Sequence, residues 1–142
     1  MTLRVELVVP EGEIWSGRAE MVIAKTLDGD IGVLTGHTPV LGILAEGSLV
    51  RIMPEASPDA AAAGDEVVAA VNGGFFSVAD DRVSVLAREA QLGGEVDTGA
   101  ARAALDEAVQ RAEASAGGGE EPADVRYFRA LLRAAGDPAD RA

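Results

Sequence analysis

Asp28-Gly29-Asp30-Ile31-Gly32-Val33-Leu34-Thr35-Gly36-His37-Thr38-Pro39-Val40-Leu41 governs how the rest of this chain is read. It gathers three glycines, a proline, two aspartates and the only histidine between apolar flanks. Glycine opens backbone conformations closed to other residues, and proline fixes one. The stretch is therefore expected to form a tight structured loop between two buried segments. Working outward, residues 3 to 88 read as strands. Leu3, Val5, Leu7 and Val9 alternate with Arg4 and Glu6 in the period-two pattern of a half-buried strand, which Pro10 ends. Further short runs are expected over Glu20 to Lys25, Val40 to Leu44, Ser48 to Met53, Glu66 to Val71, Phe75 to Ala79 and Arg82 to Ala87. Asp80-Asp81 reads as a two-residue hairpin turn. Short strands at regular spacing favour a sandwich or barrel over alternating βα units. The run Pro54 to Gly64 lies between two strands and is expected to be an elongated, mobile hairpin tip.

The pattern changes after Gly93-Gly94. Ala101, Ala104, Leu105, Ala108, Val109 and Ala112 share one face at helical spacing, with Asp97 and Thr98 placed to cap the helix start. Gly117-Gly118-Gly119 breaks that helix near Ser115. Pro122 suits the first turn of a second one, with Glu120 and Glu121 at its positive end. There Val125, Phe128, Leu131, Leu132 and Ala135 share a face, and Gly136 and Pro138 stop it. The predicted class is α+β, an antiparallel β-sandwich over residues 1–92 followed by a helical αα-hairpin over residues 93–142. An alanine-rich face buries little area, so the hairpin is expected to be detachable.

Composition excludes several functions. The chain has 142 residues, 48% of them hydrophobic, enough for one ordinary domain with an appendage. Twelve basic side chains against 24 acidic ones give a net charge of −12, the wrong sign for neutralising nucleic-acid phosphates. There is no cysteine, so disulfides and thiolate metal sites are ruled out. The start Met1-Thr2-Leu3-Arg4-Val5-Glu6 has neither signal-peptide nor transit-peptide character, and no apolar run approaches the roughly 20 residues of a membrane span.

Catalytic templates fare no better. His37 is the single candidate base, and no Gly-x-Ser-x-Gly elbow accompanies it. One histidine without cysteine makes a poor zinc site. Asp28-x-Asp30 starts like a calcium loop, but no acidic ligand follows at the required spacing. The glycines at 73–74 and 117–119 do not open a helix as a phosphate cradle does. His37 reads either as a contact or switch residue or as a loop histidine bonded to its own turn. Asp30 reads either as a turn residue or as an acid aimed at a partner. Arg126, Arg129 and Arg133, at i, i+3 and i+7, form a basic stripe, either a solvated helix face or a dock for an acidic surface.

Several of these segments resemble the epsilon subunit of the bacterial F-type, proton-translocating ATP synthase. Ile14-Trp15-Ser16-Gly17 is similar to an early family element. Asp28 to Leu41 resembles the family's most specific motif. Gly47, Val71-Asn72-Gly73-Gly74-Phe75 and Val83-Ser84-Val85-Leu86-Ala87 fall where the family has matching residues. The resemblance implies a non-catalytic central-stalk subunit with no cofactor and no metal. It would couple rotation of the c-subunit ring to ATP synthesis through the gamma subunit. Its hairpin would lie on the β domain or extend to the alpha and beta catalytic subunits and inhibit ATP hydrolysis. By the same resemblance Gly29, Asp30, Ile31 and Gly32 would contact the c-ring, and Gly36, His37 and Pro39 would lie at the gamma interface. Location would be peripheral, on the cytoplasmic face of the bacterial plasma membrane, reached only through the complex. Assigning Arg126, Arg129 and Arg133 to the inhibitory contact rests on their charge pattern. Thr35 stands where the family usually has proline, and the 54–64 insertion is long for it. The family's nucleotide motif is degenerate here. Arg102 follows Asp97 two residues late, a swing of about 200° around a helix, so no nucleotide site is expected. The alternatives are a free-standing β-sandwich adaptor for a peptide or small ligand, and a small hydrolase whose activity vanishes in His37→Ala.

Overall fold

A computed structural model describes residues 2–55, 66–114 and 121–136. Seven strands come first: β1 (Leu3–Val9), β2 (Gly12–Thr26), β3 (Gly29–Val33), β4 (Val40–Pro54), β5 (Val67–Ala79), β6 (Arg82–Ala87) and β7 (Ala90–Leu92). A 3-10 turn at Gly93–Glu95 leads to α1 (Thr98–Ala114) and α2 (Ala123–Ala134). The 54–64 insertion beyond Glu55, the Gly117 to Gly119 break and the stop at Pro138 lie outside the described residues.

The strands close on themselves in the order β1-β6-β5-β4-β2, with β2 pairing back to β1. β3 extends the edge beside β2, and β7 pairs with β5. Every ladder is antiparallel except β1 with β6, which run parallel from Arg4↔Arg82 to Val8↔Leu86. This departs from the all-antiparallel expectation for a simple reason. Directions alternating around an odd number of strands cannot close without one parallel pair.

The period-two pattern of β1 is obeyed: Leu3, Val5 and Leu7 are fully buried. They meet Val22, Ala24, Val33, Leu44, Val50, Ile52, Val71, Phe76, Val78, Val83 and Val85 in one core between the layers. Several expected short strands are halves of longer ones. β4 joins the Val40 and Ser48 runs through a bulge at Gly47, whose φ is +67°. β5 joins the Val67 and Phe75 runs through Gly73 and Gly74, at φ +78° and +129°. Bulges and glycines let one strand bend and serve both layers. The expected strand at Glu20 is the second half of β2, which begins at Gly12.

The opening stretch is also corrected. It is not loop throughout, because Gly29–Val33 is a strand. Val33 enters the core and Ile31 is half-buried, while Asp30 and Gly32 face out. The glycines hide that alternation from a propensity reading. Asp80 and Asp81 form the expected hairpin turn, with φ values of +50° and +59° that suit a type I′ geometry.

The helices form a hairpin docked on the outer face of β4 and β5. α2 touches the sheet and α1 packs on α2, in a second cluster that includes Ala70, Ala101, Leu105, Ala108, Val125, Tyr127, Ala130, Leu131 and Leu132. α2 is buried on two sides because it lies between sheet and α1. That is why Tyr127, Ala130 and Leu132 are buried along with Val125 and Leu131, and Phe128 only half so.

Candidate functional site

Three regions carry the residues that the sequence singles out, and the fold keeps them apart. The first is the β2–β3 hairpin. Thr26 Oγ1 donates to the Gly29 carbonyl at 2.8 Å and accepts from the Asp28 amide at 3.2 Å, closing the turn. Gly29, at φ +118°, takes a backbone conformation that side-chain-bearing residues rarely adopt. Asp30 lies opposite Lys25, and Gly29, Asp30 and Gly32 are exposed along a strand paired on one side only. An edge strand presents free backbone groups as well as side chains to a partner.

The second region is the turn after β3. Gly36, at φ +85°, donates its amide to Asp81 Oδ1 at 2.7 Å. Asp81 also accepts the Arg4 amide on its carbonyl at 2.8 Å. One aspartate thus ties the turn, the β5–β6 hairpin and β1 together. The His37 amide donates to the Leu34 carbonyl at 3.1 Å, and its ring Nδ1 meets the Thr38 carbonyl at 2.7 Å. That bond places a proton on Nδ1 and leaves Nε2 for an outside partner. Gly36 and Pro39 are exposed, His37 is half-buried, and Asp30 lies at the far end of β3.

The third region is the arginine stripe of α2. Arg129 pairs with Glu121 at 2.6 Å, and Arg126 binds the Glu121 carbonyl. Arg126 also reaches Glu46 at 3.7 Å, which Arg88 meets at 3.3 Å from the other side. Arg133 shares the same groove, which also includes Lys25, Leu27 and Ser48. The stripe therefore faces acids of its own chain. Gly47 lies directly beneath it, where a Cβ would come within 2.5 Å of the Arg126 backbone. Asp97 caps α1, its Oδ1 accepting the Ala100 amide at 3.0 Å. Arg102 lies within α1, half-buried.

Sequence reasoning missed an exposed apolar row. Ile43 lies opposite Phe75, and Phe75 opposite Leu86; they are 52%, 53% and 49% exposed. With Val8, Pro10 and Leu27 they line a hollow of about 550 Å³ that Glu46 and Arg88 border, Glu46 being the acid that also meets Arg126 of α2. The signal was present in Ile43-Leu44, Phe75-Phe76 and Val85-Leu86-Ala87. Runs without alternation mean that both faces of a strand are destined for burial. Among the described residues no group of acidic and histidine side chains could hold a metal, and no helix is long and apolar enough to cross a membrane.

Comparison with known proteins places these regions in context. The family model for the ATP synthase delta/epsilon chain β-sandwich domain matches residues 2–93. An ATP synthase epsilon chain of Thermobifida fusca is 50% identical over 134 residues, covering 94% of this chain and 91% of that one. One from Streptomyces griseus is 44% identical over 131 residues, covering 92% and 97%. Among solved structures, a chain of the Euglena gracilis mitochondrial ATP synthase superposes with a TM-score of 0.64 at 24% identity. It covers 92% of this chain and 75% of that one, a likeness of fold.

Proposed function

The chain belongs to the ATP synthase delta/epsilon family, as a non-catalytic subunit of the rotary complex, and we propose that it is the regulatory coupling element of the central stalk. The exposed row Ile43–Phe75–Leu86 carries this reading. An apolar ridge of this kind on a soluble domain marks a face covered by another protein. We assign the gamma subunit to the face holding that row and the turn Gly36, His37 and Pro39. The c-ring is assigned to the hairpin at Gly29, Asp30, Ile31 and Gly32, where an edge strand and an acid project together. The site of action is then the cytoplasmic face of the plasma membrane, reached through these contacts.

The hairpin is the regulatory part. Docked, Arg126 is engaged with Glu46 and Arg129 with Glu121, and Arg133 lines the same groove. Extended, α2 leaves Glu46 behind and offers its guanidinium groups to acidic surfaces of the alpha and beta subunits. Inhibition of ATP hydrolysis is then an exchange of carboxylate partners, and any condition that weakens docking favours it. The ion pairs themselves are half-exposed and contribute little to docking. The buried face of α2 decides the balance.

The test is a pull-down of tagged chain from detergent-solubilised membranes, wild type beside Phe75→Ser. Wild type is expected to recover gamma together with alpha, beta and c subunits, and the variant to lose them while staying folded. Recovery of the chain alone from cytosol overturns the stalk role in favour of an adaptor.

A further inference from the structure

Arg4, Arg18 and Arg82 form a row that neither the fold nor the hairpin uses. Arg4 is the register partner of Arg18 across the β1–β2 ladder and of Arg82 across β1–β6. All three are exposed. Their inward neighbours Leu3, Val5 and Val83 are fully buried, so the guanidinium groups share the outer face. None makes an ion pair with a described residue. Glu6 and Glu13 border the same groove of about 320 Å³, but Glu6 accepts the Ser84 hydroxyl at 2.9 Å and neither acid pairs with an arginine.

Like charges directly opposite one another destabilise a sheet. This chain holds only 12 basic side chains against 24 acidic ones, yet places three of them in one cross-strand line. A local cost of this kind without a partner among the described residues indicates an external one. We propose that the Arg18–Arg4–Arg82 row docks an acidic surface of the protein that covers the Ile43–Phe75–Leu86 row.

Two features select a protein surface over a free anion. The arginine row is continuous with the candidate interface turn, since Asp81 adjoins Arg82 and holds the Gly36 amide at 2.7 Å. The apolar row crosses the same face of β1 at Val8, four residues beyond Arg4, about 13 Å at a strand's rise per residue. The occupant must present carboxylates about 13 Å from an apolar ridge, a spacing that roughly nine residues of one helix face span. The arginines steer and orient; the apolar row holds. The inference rests on the reading that this face meets a stalk partner.

The test uses the full chain and the F1 sector of the same organism stripped of it, with association followed on a biosensor at several salt concentrations. Variants are R4Q/R18Q/R82Q, Phe75→Ser and, as a charge-matched control off this face, R51Q/R102Q/R111Q. The triple variant is expected to associate about tenfold more slowly at low salt, the gap closing as salt screens it. The control should match wild type. Thermal unfolding of the triple variant should occur at or above the wild-type midpoint, because repulsion has been removed; a lower midpoint would make the row structural and overturn the proposal. Wild-type association by the triple variant, with binding lost in Phe75→Ser, overturns the arginine proposal and leaves the stalk reading intact. Wild-type binding by both variants overturns both.

Discussion

Gly47→Ala should loosen the hairpin while leaving the β core assembled. Gly47 sits at the β4 bulge with φ +67°, and an added Cβ would lie 2.5 Å from the Arg126 Cβ and carbonyl carbon and 2.7 Å from its oxygen. These are largely backbone atoms of α2, so no side chain can swing aside. Two costs follow, and they fall on different equilibria. The left-handed backbone strain of an alanine, about 1 to 2 kcal/mol, is present whether α2 is docked or not, and lowers global stability. The overlap with Arg126 exists only in the docked state. Overpacking of this kind costs about 1 to 3 kcal/mol, which moves the docked-to-undocked ratio by roughly 5- to 150-fold.

Amide hydrogen exchange separates the two costs. Amides of α2 between Tyr127 and Leu132, exposed by undocking, should lose protection by the overlap alone, because the strain is common to both states. Amides of β1 and β6 exchange by global opening of the docked protein and should lose the sum of strain and overlap. Protection in α2 that is unchanged would refute the view that Gly47 is the seat on which the hairpin closes. In the assembled enzyme the same variant should inhibit ATP hydrolysis more strongly, since the extended hairpin is favoured.

Other expectations follow from single side chains. Replacing Arg126, Arg129 and Arg133 together by alanine should relieve inhibition of hydrolysis in the reconstituted complex, and an unchanged ATPase rate removes the stripe from the mechanism. Burial, with a smaller contribution from Glu89, pushes the Tyr127 hydroxyl up to about 12 from 10.0. Its folded-state value is raised, so stability is unaffected below pH 10 and declines by about 1.4 kcal/mol per pH unit between 10 and 12, as the unfolded chain ionises first. Denaturant titrations of wild type and Tyr127→Phe across that window should diverge, and parallel curves contradict the assignment. Asp97→Ala removes the bond to the Ala100 amide at the start of α1. It should lower protection of the first turn of α1 by about 1 kcal/mol.

The two-part architecture was legible because its signals are local. Alternation at Leu3 to Val9, the Asp80-Asp81 turn and the helical spacing of Ala101 to Ala108 each need only neighbouring residues. Glycine obscured the rest. Gly29 and Gly32 made a strand look like a loop, and Gly47, Gly73 and Gly74 made bent strands look like separate ones. The parallel β1–β6 pair was out of reach, because it follows from closing the ring and not from either strand. The same limit applies to the candidate sites. Asp97 as a helix cap could be read directly, and the bonds of His37 within its own turn matched one of two open readings. The Glu46–Arg126 pair and the arginine row depend on register between distant segments, which no spacing in the sequence encodes.

The seat of the hairpin and the exposed apolar row differ in their cover, and on the proposed reading the difference lets one small subunit hold a partner and regulate reversibly. The face over β4 and β5 near Gly47 is covered in cis by α2, through a cluster that joins Ala70, Ala101, Ala108 and Ala130 to Leu105, Val125, Tyr127, Leu131 and Leu132. Alanine contributes little burial energy, at about 25 cal/mol per Å² of apolar surface. α1 packs mainly on α2, and α2 makes the main helix contact with β4 and β5, so releasing one helix face frees most of the hairpin's seat. Ile43, Phe75 and Leu86 are large side chains left half-exposed among the described residues. Already half-buried, each can yield roughly 0.8 to 1.5 kcal/mol more when fully buried against a partner. On the proposed reading, large half-exposed residues lie where a partner attaches, and the alanines among the buried contacts keep docking weak enough to be undone. Substitution on either side has a defined consequence. Ala130→Leu adds three carbons at a fully buried position, so overpacking should release the hairpin and strengthen inhibition, whereas Phe75→Ala should loosen the subunit from the stalk without changing hairpin exchange.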